Sequence, residues 1–358
     1  MDLALQEDKR VLRRHRVDHF DVAEDSVIRY VQSCLNVVKP ELLYWNSGLK
    51  VNNLPSILVD YEGLVDLKQI NSRPRINKHF ELVNNSIESG NYFITSVETK
   101  GKRKERIYQK YPKGISQLVY AVDFLFHRVT AKLKTTRQLY YSITKGANRA
   151  LSLTETLGRL VSCGFEIIDY KEIGYKTYIV TKKISEPAYD MKPTYGLFCK
   201  LNRVGFHGDV ISVYKVRTMH PYSEYLQEFL YNHNGTENGD KINGDFRVTN
   251  WGKIFRKFWI DELPMLRNFF KGELKLVGVR PLSRHKFETY PEELQNKRIR
   301  VKPGLVPPFY ADMPETVEGF YETESKYLDE YLKRPYWTDT KYFFKAMFNI
   351  FFKRARSR

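Results

Sequence analysis

One order of elements occurs twice in the first half of the chain, and it restricts the fold more than any other feature. The order is an amphipathic helical period, a glycine, then a β-branched run. In RINKHFELVNNSIESG (75–90), Ile76, Phe80, Val83 and Ile87 recur at helical spacing and Gly90 stops the pattern. NYFITSVET (91–99) then alternates as a strand. LSLTETLGRLVSCGFEIIDYKEIGYKTYIVTKK (151–183) supplies a second helix and glycine, followed by two strands; Thr154 is placed to cap that helix with Glu155 in its first turn. Upstream, ILVDYEGLVDL (57–67) reads as a buried strand with its flanks, and residues around 24–38 read as helical. Helices alternating with strands make this half α/β.

That order resembles the second half of a class I methyltransferase-like Rossmann domain. The glycine-rich loop that opens such a domain is missing, since only Gly48 precedes Gly63. Cradling a phosphate or an adenosine needs small residues, so that backbone N–H groups can approach the ligand. Residues 1–185 are therefore read as a cofactor-free, partial Rossmann/methyltransferase-like α/β domain of unassigned role. Within it, KGKRKERIYQKYPKG (100–114) is an exposed basic loop or helix.

The apolar fraction, 42%, suffices for a core, and 59 Lys+Arg against 42 Asp+Glu leave a formal charge of +17. That excess calls for an anionic partner: nucleic acid, phosphorylated small molecules or an acidic lipid surface. No nucleic-acid reader motif is present, so nucleic acid is not expected. Cys34, Cys163 and Cys199 are far apart and match neither a disulfide framework nor a zinc pattern, as in a reducing compartment. The start, MDLALQEDKRVLRRHR, has no apolar stretch of a signal peptide. The longest apolar run, LVYAVDFLF (118–126), contains Asp123 and falls far short of the roughly 18 residues a spanning helix needs. The expectation is a soluble or peripheral protein, and no pattern assigns an oligomeric state.

ISEPAYDMKPTYG (184–196) is the linker candidate, and the second domain is taken as residues 186–358. GLFCKLNRVGFHGDVISVYKVRTM (196–219) reads as a β-hairpin turning at RVGFHGD, and YNHNGTENGDKINGD (231–245) as a polar surface loop. Cations then gather around one acidic pair: Lys215 and Arg217 in YKVRTM, Arg247 beside Thr249 in DFRVTNWG, Arg256 and Lys257 on a helix, Asp261-Glu262, Arg280, and Arg298, Arg300 and Lys302 before a Pro-Gly. Such a set suits phosphoryl transfer from a diphosphate. Arginines spread the charge, one carboxylate serves as nucleophile, and its neighbour holds Mg²⁺. Each element also has a plainer reading. Asp-Glu before Leu-Pro is a common helix start, and Lys215 and Arg217 fit the solvated side of an edge strand. His207, His220 and His285 are scattered without metal spacing and are read as surface residues.

Three motifs in order resemble the bacterial sugar transferase family, the polyprenyl-phosphate hexose-1-phosphate transferases, over about residues 196–355. LNRVGFHGDVISVYKVRTM is similar to the family's "RvG..G..f.iyKfRTM". FRVTNWGKIFRKFWIDELPMLRNFFKGELKLVGVRP is similar to "R.T..G..lRk..lDElPql.Nvl.GemslVGpRP", and RIRVKPGL to "R..vkPGi". The resemblance implies an α+β catalytic domain with amphipathic membrane-interface helices. It also implies a two-step reaction, in which a UDP-sugar passes its sugar-1-phosphate to Asp261, UMP leaves, and a polyprenyl phosphate takes the group. Glu262 assists with Mg²⁺; Asp261 and Glu262 are the metal residues; Lys215, Arg256 and Arg280, with Arg217 and Arg247 behind them, bind phosphates. The alternative is a noncatalytic membrane-associated scaffold or donor-binding module that keeps the fold.

Two segments depart from the family pattern. The family's apolar, proline-broken membrane helix is replaced by TKKISEPAYDMKPTYGLF, and its "PGiTG.aQ" by PGLVPPFYAD (303–312). TKYFFKAMFNIFFKRARSR (340–358) carries Phe344, Met347, Phe348, Phe351 and Phe352 on one helical face, with Lys341, Lys345, Lys353, Arg354, Arg356 and Arg358 as cations. It fits either an interfacial helix on an anionic membrane or a core helix with a basic tail. The first option places the chain peripherally on the cytoplasmic face of the bacterial inner membrane.

Overall fold

The computed structural model describes residues 22–35, 41–45, 61–189, 196–234, 236–237, 241–242 and 244–353. The chain divides into two compact units: residues 1–195 with 220–229, and residues 196–219 with 230–358. The leader reading, residues 57–60 of the upstream strand and part of the linker lie outside the described residues.

The first unit is built on five strands. They are β1 (Leu42–Trp45), β2 (Gly63–Asp66), β3 (Tyr92–Val97), β4 (Phe165–Ile173) and β5 (Lys176–Lys183), in the order β1-β2-β3-β5-β4. β1, β2 and β3 run parallel, and β5 lies antiparallel between β3 and β4. Its helices are α1 (Val22–Cys34), α2 (Ile76–Ser86), α3 (Lys100–Lys110), α4 (Ile115–Phe124), α5 (Lys134–Thr144) and α6 (Leu153–Ser162). Strand alternation sends successive side chains to opposite faces. Ile94 joins Val65 and Val180 against Tyr30, Val31 and Leu35 of the α1 segment. Phe93 joins Phe80 of α2 and Phe165 of β4 on the other side, with ring centroids 6.0 and 5.4 Å away. The predicted row Ile76, Phe80, Val83 and Ile87 is buried.

Two local expectations need correction here. Ser152, not Thr154, caps α6: its Oγ accepts the Glu155 N–H at 3.2 Å, while Thr154 is buried within the first turn. Glu155 does lie in the first turn, as a buried carboxylate 2.6, 2.7 and 3.0 Å from Arg128, Lys132 and Arg159. His220, expected at the surface, is 7% exposed, with Nε2 3.3 Å from Lys100 Nζ. The basic stretch resolves as helix α3, capped by Thr99.

The second unit is α+β. The predicted hairpin forms from β6 (Phe198–Val204) and β7 (Val210–Val216), paired from Phe198↔Val216 to Val204↔Val210. The segment expected as a loop at 231–245 instead opens with the end of helix α7 (Gln227–Asn234), followed by the short antiparallel pair β8 (Thr236–Glu237) and β9 (Lys241–Ile242). Then come α8 (Asn250–Lys257), a 3-10 turn (Ile260–Met265), α9 (Leu266–Phe270), and β10 (Lys275–Val277) parallel to β11 (Gly304–Val306). The short helices α10 (Arg284–Glu288), α11 (Glu292–Arg298) and α12 (Phe309–Asp312) precede two long ones, α13 (Val317–Lys333) and α14 (Pro335–Phe352). Val277, Val279, Leu294, Val301, Tyr327, Leu328, Tyr342 and Ala346 form the core.

Helix α14 separates its faces. Tyr342, Ala346 and Asn349 are buried, and Asn349 Nδ2 donates to the carbonyls of Tyr310 and Ala311 at 3.0 and 2.7 Å. Phe344, Phe348, Phe351 and Phe352 are exposed; Met347 is half-buried. Two of its cations are paired rather than free, Lys341 with Glu330 and Lys345 with Asp312. Arg354, Arg356 and Arg358 lie outside the described residues. Among the described residues, no helix is long and apolar enough to cross a membrane.

Candidate active site

The site is assembled by three segments meeting at the end of β7. Val213, fully buried, packs with Met265 and Leu274, so the strand lies against the turn that carries the acidic pair. Lys215 is two residues further on and shares that face. Asn268 ties the two segments together: its Nδ2 donates to the Ser212 carbonyl at 2.7 Å and to Glu273 Oε2 at 2.6 Å, and its Oδ1 accepts the Tyr214 N–H at 3.2 Å. The result brings Lys215 Nζ to 2.6 Å from Glu262 Oε1.

Helix α8 delivers Arg256. Thr249 caps it, accepting the Gly252 N–H at 3.0 Å and donating to the Thr218 carbonyl at 2.9 Å. A Cβ at Gly252 would sit 2.2 Å from the Thr218 carbonyl oxygen, so only glycine lets the helix start this close to the strand end. Arg256 Nε then donates to Thr218 Oγ1 at 2.9 Å. After α8 the chain reverses at Trp259, whose φ of 54° is left-handed, an uncommon conformation for a bulky residue. Its indole Nε1–H donates to Tyr310 Oη at 3.0 Å, holding the reversal in place. Asp261 follows in the 3-10 turn and is 9% exposed. Burial raises its carboxyl above the ordinary range, the Lys215 charge works against that shift, Glu262 adds to it, and Arg256 opposes it.

Arg280 arrives from the β10–β11 pair. A Cβ at Gly304 would lie 2.2 Å from the Gly278 backbone nitrogen, so this crossing also requires glycine. Arg280 Nη2 stands 3.8 Å from Glu262 Oε1, and its carbonyl accepts from Arg298 Nη2 at 2.5 Å. Arg298 in turn pairs with buried Glu324.

Of the residues singled out from sequence, Lys215, Arg256, Asp261, Glu262 and Arg280 therefore converge. Arg247 stands one step back: it forks onto Asp245 at 2.9 and 2.9 Å, and this pair acts on the Arg256 charge. Arg217 donates from Nε to the Gly196 carbonyl at 3.0 Å, and among the described residues no ion pair joins it to the dyad. Arg203 was not singled out, although it opens the RVG motif; burial and the nearby Arg280 both push its pKa down. Asn268, Trp259 and Arg298 are further positioning residues. Asn268 carries a signal in its place inside the long motif, whereas the roles of the other two depend on tertiary partners.

Three cations, Lys215, Arg256 and Arg280, thus stand about two carboxylates, an arrangement that favours an additional anion. Among the described residues, no group of three or more His, Cys, Asp or Glu side chains forms a self-sufficient metal cage. The adjacent carboxylates of Asp261 and Glu262 do fit Mg²⁺, which is commonly held by one or two carboxylates together with substrate phosphates.

The sequence model of the bacterial sugar transferase family matches residues 187–353. Those residues belong to the bacterial sugar transferase family. The site described above falls wholly within this sugar transferase segment. The chain is 34% identical over 144 residues to "Galactosyl transferase CpsE" of Streptococcus agalactiae, covering 39% of this chain and 31% of the relative. It is 34% identical over 150 residues to "Undecaprenyl-phosphate galactose phosphotransferase" of Salmonella typhimurium, covering 40% and 31%. It is 33% identical over 105 residues to "UDP-glucose:undecaprenyl-phosphate glucose-1-phosphate transferase" of Caulobacter vibrioides, covering 29% and 36%. The matches to the Streptococcus and Salmonella transferases span about a third of the length of each.

Proposed function

We propose that the protein transfers a sugar-1-phosphate from a UDP-sugar to a polyprenyl phosphate, the initiating step of a polysaccharide or glycoconjugate. The observation that carries this reading is the buried Asp261 beside Lys215 and Arg256, next to a Glu262 already engaged by Lys215 and Arg280. A carboxylate oxygen of Asp261 attacks the sugar-bearing phosphorus. The bond from that phosphorus to the bridging oxygen breaks, and UMP leaves with the electron pair. A phosphate oxygen of the acceptor then attacks the same phosphorus and releases Asp261 as a carboxylate. Lys215, Arg256 and Arg280 stabilise charge on the transferring group, and Arg247 and Arg217 support the site from further out. Mg²⁺, when held by Asp261 and Glu262, supplies charge neutralisation at the donor phosphates.

The acceptor reading is supported by exposed apolar side chains on the elements that carry the dyad. Ile254, Phe258, Leu263, Leu266 and Phe270 all face solvent, Phe270 at 81%. With the exposed aromatics of α14 they suit a peripheral position on an anionic membrane, on its cytoplasmic face. The strand order of the first unit is consistent with a partial methyltransferase-like half-domain.

The test is the full chain with a panel of UDP-sugars, Mg²⁺ and undecaprenyl phosphate. UMP release with transfer of label to lipid is expected. Donor binding without UMP release, beside an active relative, would point to the noncatalytic module instead.

A further inference from the structure

The apolar run at 118–126 has no part in the transferase chemistry, and it is helical and open to solvent. Ile115, Leu118, Val122 and Leu125 are 55, 67, 59 and 57% exposed. Their spacing of three, four and three residues makes one stripe along α4 and its π-helical continuation, Leu125–Thr130. On α5, Leu139 and Ile143, one turn apart, are 64 and 62% exposed. A stable monomer rarely leaves such a row uncovered without a use for it.

The charge beside the stripe has one sign. Between residues 106 and 154 the sequence has one acid, Asp123. Asp123 is neutralised by Arg103, which donates to both carboxylate oxygens at 2.6 and 2.6 Å. Lys110, Lys113, Arg137 and Lys145 are exposed along the same segment. Lys104 lies 5.1 Å over the exposed Tyr108 ring, a pairing of aromatic face and cation that suits a water–lipid boundary.

We propose that α4 and α5 of the first unit form a docking surface for an anionic lipid bilayer, with the apolar stripe in the headgroup boundary and the flanking cations on lipid phosphates. This surface shares no residue with α14 and does not depend on the dyad chemistry. It gives the α/β unit, whose role the sequence left unassigned, a function of its own.

Flotation of the full chain with phosphatidylcholine–phosphatidylglycerol vesicles, against phosphatidylcholine alone, tests it. Leu118→Glu with Val122→Glu, at solvent-facing positions, should cut vesicle binding at least tenfold with an unchanged circular dichroism spectrum. Lys110→Glu with Lys113→Glu should flatten the dependence on phosphatidylglycerol. Phe348→Glu with Phe351→Glu reports the contribution of α14 separately. UMP release in detergent should be unaffected by the α4 pair, so failure of this surface and failure of the transferase reading are distinguishable. In a second measurement, Leu118→Trp should add blue-shifted emission on vesicle addition. Undiminished flotation of the α4 pair, equal binding to neutral vesicles, or a dimer that the α4 pair dissociates with no change in vesicle binding would each overturn the proposal.

Discussion

Lys215 Nζ and Glu262 Oε1 lie 2.6 Å apart, although 47 residues separate them in sequence. The pair is held from below by Val213 against Met265 and from the side by Asn268, so it is a consequence of packing rather than of two flexible side chains meeting in water. Lys215→Met removes the first charge that favours ionised Asp261 and leaves Glu262 with Arg280 alone. We expect kcat/KM to fall about 100-fold, equivalent to about 2.7 kcal/mol, with Lys215→Arg recovering part of it. Steady-state UMP release checks this; unchanged kinetics would remove Lys215 from the site.

Asp261→Asn keeps the shape of the side chain and removes the nucleophilic oxygen charge. Turnover should fall by on the order of 1,000-fold or more, while thermal unfolding stays close to wild type, because burial works against the charge that is lost. Intact-protein mass spectrometry with donor but no acceptor should detect a phospho-sugar adduct on wild type and none on the variant. An equal adduct on both would exclude Asp261 as its carrier.

The pH profile carries a sign. Asp261 must be ionised to act, and burial holds its pKa above the ordinary carboxylate range. The acid limb of kcat/KM should therefore lie at higher pH than for a solvated aspartate, with activity lost as pH falls through it. In Lys215→Met that limb should move further up, since Lys215 is the leading group that lowers the pKa. A limb that stays in place would separate it from Asp261.

Asn268 is fully buried and serves backbone groups of β7 on two sides. Asn268→Ala leaves the Ser212 carbonyl and the Tyr214 N–H without that partner and should cost about 2–4 kcal/mol. Asn268→Asp should be worse at neutral pH than in acid, because it sets a carboxylate against Glu273. Urea unfolding, with hydrogen exchange at residues 210–216, gives both readouts; protection of β7 unchanged in the alanine variant would refute the tie.

In the first unit, burial and the Lys100 charge push the His220 pKa down to about 3. The folded chain thus resists a proton that the unfolded chain accepts near 6.5. The stability this gives is present above 6.5 and is lost as pH falls toward about 3, at up to about 1.4 kcal/mol per pH unit. His220→Gln should flatten the decline in urea midpoint between pH 6 and 4; parallel curves for both chains would contradict it.

The elements most legible in sequence were those set by local periodicity. The stripe Ile76, Phe80, Val83 and Ile87, the β-branched run of β3 and the hairpin around Gly205 and Gly208 each depend on neighbours within a few residues. Ser152 was missed in favour of Thr154 because both are good caps and only the helix start decides between them. The burial of His220 is not legible in its local sequence, and its partner Lys100 lies far away in the chain.

The sequence by itself determined which chemical groups the site has available: the Asp261-Glu262 pair, its cations, and the motif order that marks the family. It also determined that Gly252, Gly278 and Gly304 could be approached by backbone. Only the tertiary structure decided which cations reach the carboxylates. Lys215, Arg256 and Arg280 do, while Arg247 turns to Asp245 and Arg217 to the Gly196 carbonyl. The reason is physical: spacing in sequence settles which side of an element a residue occupies, but the partner of a charge is settled by which elements pack together. The same holds for α14, where composition allowed either a core helix or an interfacial helix and packing buried one face and left the other apolar row facing out.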